Sequence, residues 1–542
     1  MPKLDPPKSD ASAAVSGRLV EVPWWRLLNG YHWFVLIVAA LGWLFDCLDQ
    51  QLFLLARIPA MKALLLPGQD VGLHSGYATS IFLIGWATGG LTFGVLGDRI
   101  GRAKTMMLTI LIYSLCTGLS ALSQGFWDFA FYRFITGLGV GGEFAVGVSL
   151  VAEVMPEKAR PYALSLLQAL SALGNISAAL ISIGFGDLES SGIIRAGTAW
   201  RWMFVVGAVP AFLALIIRAR LQEPERWQAA KTAGRKQQLK LGSYGELFGN
   251  PNWHRPATLA GLCVAAIIFI GFAGPASWPK LGLGLALSVG AIAAGLWSIY
   301  GGGNPSRWRR NAVVGLLLAF TGVIGLWGIA FFSFDLVRLV FQKAFVAQGY
   351  SPAEVAGKLT VWVGVTSIMQ NLGGFLGIYA FGIVTQRIGR RPAFAAAFIM
   401  AMVSTAAVFM FLKPGAVSGR LGFWEQIVCF HQIFWLIPIM GFCQLAIFGG
   451  YAIYFPELFP THLRSTGTSF CYNVGRFVAA SGPTLLGLLT NRVFTPAHGY
   501  PEGMRYAGMS MCAVFLFGLM VLPFAPETKG KPLPEDERLL TH

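Results

Sequence analysis

Fourteen apolar runs, most of them near twenty residues long, follow one another along the chain and limit its fold more than any other feature. A helix rising ~1.5 Å per residue needs about 20 apolar residues to cross a hydrocarbon core roughly 30 Å thick. The runs fall near 33–56, 76–97, 105–123, 127–151, 163–185, 202–217, 257–275, 281–300, 312–333, 359–384, 393–412, 427–455, 466–489 and 506–524. They predict an all-α protein that crosses the bilayer many times. Charge content agrees: Asp, Glu, Lys and Arg make up 12% of the chain, against about 25% in soluble domains.

The net charge of +16 does not predict a nucleic-acid partner, because the basic residues are strung between apolar runs and form no patch on a soluble domain. They read as topology signals. With both termini inside, the cytoplasmic segments hold 27 of the 41 Lys and Arg, the outer segments hold 12, and Arg133 and Arg476 fall within spans. That bias predicts cytoplasmic termini in a cell (inner or plasma) membrane. The first thirty residues are polar and lack a signal-peptide core, so they read as a cytoplasmic tail. All seven cysteines lie inside apolar runs without CxxC or Cys/His spacing, which indicates no disulfide framework, metal site or cofactor.

Internal repeats are common in transporters, and this chain carries one. Gly94, Arg99, Ile100, Gly101 and Arg102 match Gly382, Arg387, Ile388, Gly389 and Arg390 at an offset of 288. Glu153, Pro156 and Arg160 match Glu457, Pro460 and Arg464 at 304, and Pro224 and Glu225 match Pro526 and Glu527 at 302. Two six-helix halves follow, with two spans left over between "GNPNWHRP" and "GNPSRWRR". The expected organisation is a tail (1–30), an N-terminal bundle (31–220), a cytoplasmic linker (221–256), an inserted hairpin (257–310), a C-terminal bundle (311–525) and a tail (526–542).

The set "GVLGDRIGRAK", "RFITGLGVGGE", "PEKAR", "EPERW" and "PETKGKPLPED" resembles the major facilitator superfamily, and within it the sugar-porter and metabolite:proton symporter branches. "DCLD", "GVGGEFAVG" and "LLQALSALGN" look most like the organic-acid symporters, although that branch favours Gly where this chain has Cys47. Hexose carriers place a double Gln in the first helix of the second half, and "GLLLAFTGVIGLWGIAFF" has none. The resemblance implies a secondary transporter working by alternating access, with a helix 1 carboxylate and a helix 4 guanidinium coupling protonation to transport.

Ionisable residues deep in a span cost about 2.5–3.5 kcal/mol each on insertion scales and ask for a partner or a role. Asp46 and Asp49 share a helix face and are expected to face a central cavity. Asp49 lies ~24 Å from the cytoplasmic end and Arg133 roughly 21 Å up, so Arg133 pairs with Asp49 or Asp46. With Glu143 and Arg476 the deep charges are three acids and two bases, leaving one acid unpaired as a candidate proton carrier. The alternative is a set of static salt bridges, and "GGEF" could place Glu143 at a packing seam. Arg476 could neutralise a substrate carboxylate or meet a structural acid. Gln168 and Asn175 share a face; with Gln370, Asn371 and His431 they could line a pathway or form interhelical hydrogen bonds.

At the repeated turn, Asp98 is expected beside the positive N-terminus of the third helix, with Gly94 and Gly101 permitting a tight turn. Arg99, Arg102, Glu153, Arg160, Arg387, Arg390, Glu457 and Arg464 could then close a cytoplasmic gate through ion pairs, or serve only as topology anchors. Gln386 replaces the acid in the second copy, which makes a symmetric latch doubtful. The expected partners are a small organic solute, protons and the lipid bilayer, with the protein a monomer. A sugar or polyol porter and a nutrient receptor without flux are the competing readings. No Ser-His-Asp set, HExxH, Walker or Rossmann pattern supports an enzyme or an ATP-driven pump.

Overall fold

The computed structural model describes residues 23–69, 71–190, 192–195, 197–236, 240–272, 278–302, 306–413, 431–479, 486, 489–499 and 501–535. These residues form helices and no strand. Ten helical stretches among them are long and apolar enough to cross a membrane, and two shorter apolar ones, Ala199–Leu213 and Ala286–Tyr300, accompany them.

The first half runs α1 (Gly30–Leu64), α2 (Val71–Arg99), α3 (Arg102–Ser120), α4 (Phe126–Val154), α5 (Arg160–Ala169), α6 (Ser171–Ser190), α7 (Ala199–Val206) and α8 (Ala211–Arg220). Helix α9 (Glu225–Lys236) and α10 (Tyr244–Phe248) lead to α11 (His254–Phe272) and α12 (Trp278–Tyr300), which pack on each other. The second half runs α13 (Arg309–Val323), α14 (Ser333–Ala347), α15 (Pro352–Ile388), α16 (Arg390–Phe411), α17 (His431–Glu457), α18 (Arg464–Ala479), α19 (Glu502–Met511) and α20 (Val514–Val521).

Local chemistry sets the helix starts. Asn29 accepts from the His32 N–H at 2.8 Å to cap α1, and Asp128 accepts from the N–H groups of Gln124 (2.7 Å) and Gly125 (2.9 Å) at the head of α4. Each satisfies donors that a helix start leaves without partners.

The apolar runs located the helices but missed their interruptions. The run at 163–185 is broken at Leu170 into α5 and α6, and the run at 202–217 is divided before Pro210. Beyond α13 the chain passes through a π-helical stretch, Ile324–Ile329, and continues as α14 to Ala347, well past the expected end at 333. Residues 427–430 and most of 480–488 lie outside the described residues.

Small residues let the helices approach closely. A Cβ on Gly89 would overlap the Leu138 carbonyl, and one on Gly141 would overlap that of Trp86, so α2 lies backbone to backbone on α4. The second half repeats the device: Gly377 sits against the Phe442 carbonyl and Gly441 against that of Gln370, joining α15 to α17. Between the halves, α2 packs against α18, and α5 and α6 pack against α15.

Candidate functional site

Helix α1 brings two carboxylates into the protein, and the structure sends them to different neighbours. Asp49 turns into the first half, where its Oδ1 lies 3.6 Å from Arg133 Nη1 and accepts from the Thr117 hydroxyl at 2.5 Å. Arg133 also donates to Ser120 Oγ through Nη2 (2.7 Å) and Nε (3.1 Å). Its guanidinium lies 4.7 Å from the Phe204 ring centroid, with Phe53 and Phe129 beyond. Of the two partners left open for Arg133, Asp49 is the one in contact. This pair is enclosed by helices of one half, so the expectation that both aspartates face a central cavity fails for Asp49.

Asp46 has a different setting. It is 1% exposed, neither carboxylate oxygen has a hydrogen-bond partner among the described residues, and Glu143, Asp49 and Arg476 lie within electrostatic range. Arg476, on α18 of the other half, is 4% exposed and has no hydrogen-bond partner at Nε or Nη1 among the described residues. Its guanidinium carbon lies 3.9 Å from the Trp86 ring centroid and 4.3 Å from that of Tyr472. Tyr472 stacks on Phe144 of α4 at 3.8 Å. The seam therefore holds an acid from one half and a base from the other, with aromatic faces around the base.

Glu143 accepts from Thr109 Oγ1 at 2.6 Å and packs directly on Gly42, where a Cβ would overlap its Oε1. It thus lies at the α1–α3–α4 packing seam. Asn175 and Asn371 bridge the halves, Nδ2 to Oδ1, at 2.9 Å. Gln168 Oε1 and both amide atoms of Gln370 are buried without a hydrogen-bond partner among the described residues. Gln168 and Asn175 belong to α5 and α6, on either side of the interruption at Leu170. The His431 side chain lies outside the described residues.

The repeated turns form a second constellation. Arg102 is fully buried and contacts Asp98 at 2.9 Å and Glu153 at 2.9 Å, and it donates to the carbonyl of Thr461 in the other half at 2.7 Å. Asp98 accepts from Thr466 N (2.8 Å), Thr466 Oγ1 (2.6 Å) and Ser465 N (3.2 Å). The helix N-terminus served by Asp98 is therefore that of α18, across the seam, and not that of the third helix as expected. Gly94 lets α2 pack against Ser469.

The N-terminus of α3 is held instead by Glu223, which accepts from the N–H groups of Arg102 (2.6 Å), Ala103 (3.2 Å) and Lys104 (3.1 Å). Glu527 does the same for Arg390 (2.9 Å) and Arg391 (3.0 Å) at the head of α16. Partial burial works against the Glu527 carboxylate, but these N–H groups and that of Lys529 outweigh it and hold its pKa below the ordinary value of 4.5. Glu223 and Glu527 stand 304 apart, so the functional counterpart of Glu527 is Glu223; the match to Glu225 at 302 was two residues out. Gly101 (φ +124°) and Gly389 (φ +97°) make the two turns in backbone conformations that L side chains rarely adopt, with the capping glutamate pressed against each. The offset of 304 also relates Arg201, which donates to the Ala121 carbonyl at the end of α3 (2.5 Å), to Arg505, which donates to Phe409 and Leu412 at the end of α16 (2.8 and 2.6 Å).

Arg390 pairs with Glu457 at 2.8 Å, and Arg464 reaches across the halves to Glu153 at 2.9 Å. Among the described residues no ion pair forms at Arg99, Arg160 or Arg387; Arg99 donates to the Leu241 carbonyl at 3.2 Å, and the Arg387 carbonyl accepts from Lys529 at 2.8 Å. Sequence reasoning missed Glu223, Arg201 and Arg505. A common offset of 304 was the signal that could have found them.

Residues 37–243 match a sequence model described as "Sugar (and other) transporter". A Haemophilus influenzae chain assigned to metabolite transport is 27% identical, over 93% of this chain and 99% of its own length. The cis,cis-muconate transport protein of Acinetobacter baylyi is 24% identical, over 85% and 87% of the two chains. The structure of the proton:xylose symporter XylE of E. coli superposes with a TM-score of 0.60 at 17% identity, covering 94% of this chain and 98% of that one. The chain resembles transporters of the major facilitator superfamily and shares their fold. The two constellations are read below as parts of a transporter.

Proposed function

We propose that this transporter carries a small organic anion, a carboxylate, together with a proton by alternating access. One observation carries the reading: Arg476 and Asp46 approach the seam from opposite halves, both buried and each with polar atoms that lack a hydrogen-bond partner among the described residues. Guanidinium matches a carboxylate bidentately, while Trp86 and Tyr472 offer faces for an unsaturated or aromatic body. A bound carboxylate occupies Arg476 and a proton occupies Asp46, so neither charge stays buried alone. An uncompensated buried charge costs about 3–5 kcal/mol, which favours loading both before the seam closes.

Asp49 and Arg133 relay this event within the first half, with Glu143 on the Asp46 side; Gln168, Asn175, Gln370, Asn371 and His431 complete the cavity set. The rocking bodies are 31–220 and 311–525, joined by the linker 221–256, with the hairpin 257–310 between them. The tails 1–30 and 526–542 lie on the cytoplasmic side of the cell membrane, and fourteen spans complete a monomeric protein. The cytoplasmic gate comprises Gly94, Asp98, Arg99, Gly101, Arg102, Glu153, Arg160, Arg387, Arg390, Glu457 and Arg464, a reading supported by the cross-half contacts of Asp98, Arg102 and the Glu153–Arg464 pair.

The test is uptake into proteoliposomes across a panel of organic acids and sugars, with and without an inward proton gradient. Gradient-driven acid accumulation is expected in the wild type. In Arg476→Gln acid uptake should fall by about 30-fold or more, the cost of removing one partner of a buried charge contact. Gradient-independent uptake of a sugar would support a sugar or polyol porter instead, and binding without flux a receptor.

A further inference from the structure

From Leu247 to Phe334 the chain contains no Asp or Glu, yet it carries Arg255, Lys280, Arg307, Arg309 and Arg310. The fold gathers the four arginines at one end of the α11–α12 pair. Ser298 Oγ donates to the Trp253 carbonyl at 2.8 Å, which ties the start of α11 to the last turns of α12. Arg309, at the head of α13, lies 4.9 Å from the Tyr300 ring at the end of α12, and Arg307 lies 4.8 Å from the Trp308 ring. Arg310 is anchored to the Phe524 carbonyl at 3.2 Å. Arg255 and Arg310 are exposed and Arg309 is half-buried.

An apolar track leads away from this cluster. Val289, Ile292, Leu296 and Tyr300 recur at helical spacing on one face of α12 and are 50–59% exposed. From Tyr300 to Val289 the track runs ~16 Å at 1.5 Å per residue, close to half of a hydrocarbon core about 30 Å thick. A charged end of one sign joined to a half-bilayer apolar track matches a phospholipid with an anionic headgroup better than it matches a free phosphate, which has nothing to lay along α12.

We propose that the end of the α11–α12 pair is a docking surface for an anionic phospholipid. Arg255, Arg309 and Arg310 hold the headgroup, and one acyl chain lies along Val289, Ile292 and Leu296. This surface uses the inserted pair, for which the transport cycle supplies no role, and it rests on the reading of α11 and α12 as bilayer-embedded.

The full-length protein, purified in detergent, is titrated with dioleoyl phosphatidylglycerol, dioleoyl phosphatidylcholine or inorganic phosphate, and retained lipid is counted by intact-protein mass spectrometry. Phosphatidylglycerol should be retained over phosphatidylcholine. The triple variant Arg255→Gln, Arg309→Gln, Arg310→Gln should bind it on the order of 100-fold more weakly, since each arginine near an anionic surface contributes about fivefold. The triple lysine variant should keep most of the preference, which separates charge from loss of fold. Equal retention of both lipids, wild-type retention in the glutamine variant, or displacement of the lipid by millimolar phosphate would overturn the proposal. Quenching by acyl-brominated phosphatidylcholine, taken as the difference between wild type and Trp297→Phe, tests the bilayer position of α12 separately; quenching without headgroup preference would count against the docking surface alone.

Discussion

The two Gly-Arg turns share their scaffolding and differ in how they grip the opposite half. In each copy a positive-φ glycine makes the turn, a glutamate from a distant segment caps the next helix, and the leading arginine pairs with the glutamate that ends the helix packed beside it. Across the halves the likeness persists in packing, with Gly94 against Ser469 and Gly382 against Ser165, but it stops at the charges. The first copy has Asp98 on the α18 N-terminus and Arg464 on Glu153. In the second copy Gln386 stands in place of the acid, its Nε2 is buried without a hydrogen-bond partner, and no ion pair joins Arg160 to Glu457 among the described residues. The repeat keeps what each bundle needs for its own shape, while the charged grip between the bundles at these turns is concentrated on one seam.

At the turns, the largest effect should follow from Asp98→Asn. It removes the charge opposite Arg102 and weakens the hold on three α18 donors, and truncating one partner of a buried pair costs about 3–5 kcal/mol. Transport in proteoliposomes should drop by at least tenfold at equal insertion, whereas unchanged rates would remove the gating role of this seam. A smaller, asymmetric effect should separate Arg464→Gln from Arg160→Gln. Accessibility of an engineered cysteine under the turns to an aqueous thiol reagent should rise several-fold in the first variant and little in the second. Equal responses would make the latch symmetric after all.

The smallest effects should come from the shared scaffolding. Glu223→Gln and Glu527→Gln each weaken a helix cap, typically by about 1 kcal/mol, and should lower the thermal midpoint by similar amounts. The sign of the pH dependence follows from the lowered pKa of Glu527: its contribution is present above the ordinary value of 4.5 and is lost as pH falls through the lower folded value. Wild type should therefore lose stability below about pH 4.5 relative to Glu527→Gln. Midpoints that stay parallel across that range would contradict the capping role of the carboxylate.

The apolar runs and the repeated turns made the helical membrane architecture legible, because bilayer thickness imposes a length that any sequence must show. The Asp49–Arg133 contact was also legible, since depth along a helix is additive. Features that depend on lateral packing were not. The division of labour between Asp46 and Asp49 follows from how α1 is rotated between two sets of neighbours, which spacing along one helix does not fix. Likewise, Asp98 was assigned to the nearest helix start in sequence, whereas α18 brings its N-terminus from more than three hundred residues away. Glu223 was overlooked in favour of Glu225 because aligning the prolines hid a shift that only the cap geometry reveals.

The most direct test of the central claim is accumulation of an organic acid by proteoliposomes under an inward proton gradient, wild type against Asp46→Asn. The wild type is expected to concentrate the acid in proportion to the gradient, and Asp46→Asn to exchange it without concentrating it. Gradient-driven accumulation that survives Asp46→Asn intact would contradict proton coupling at the seam.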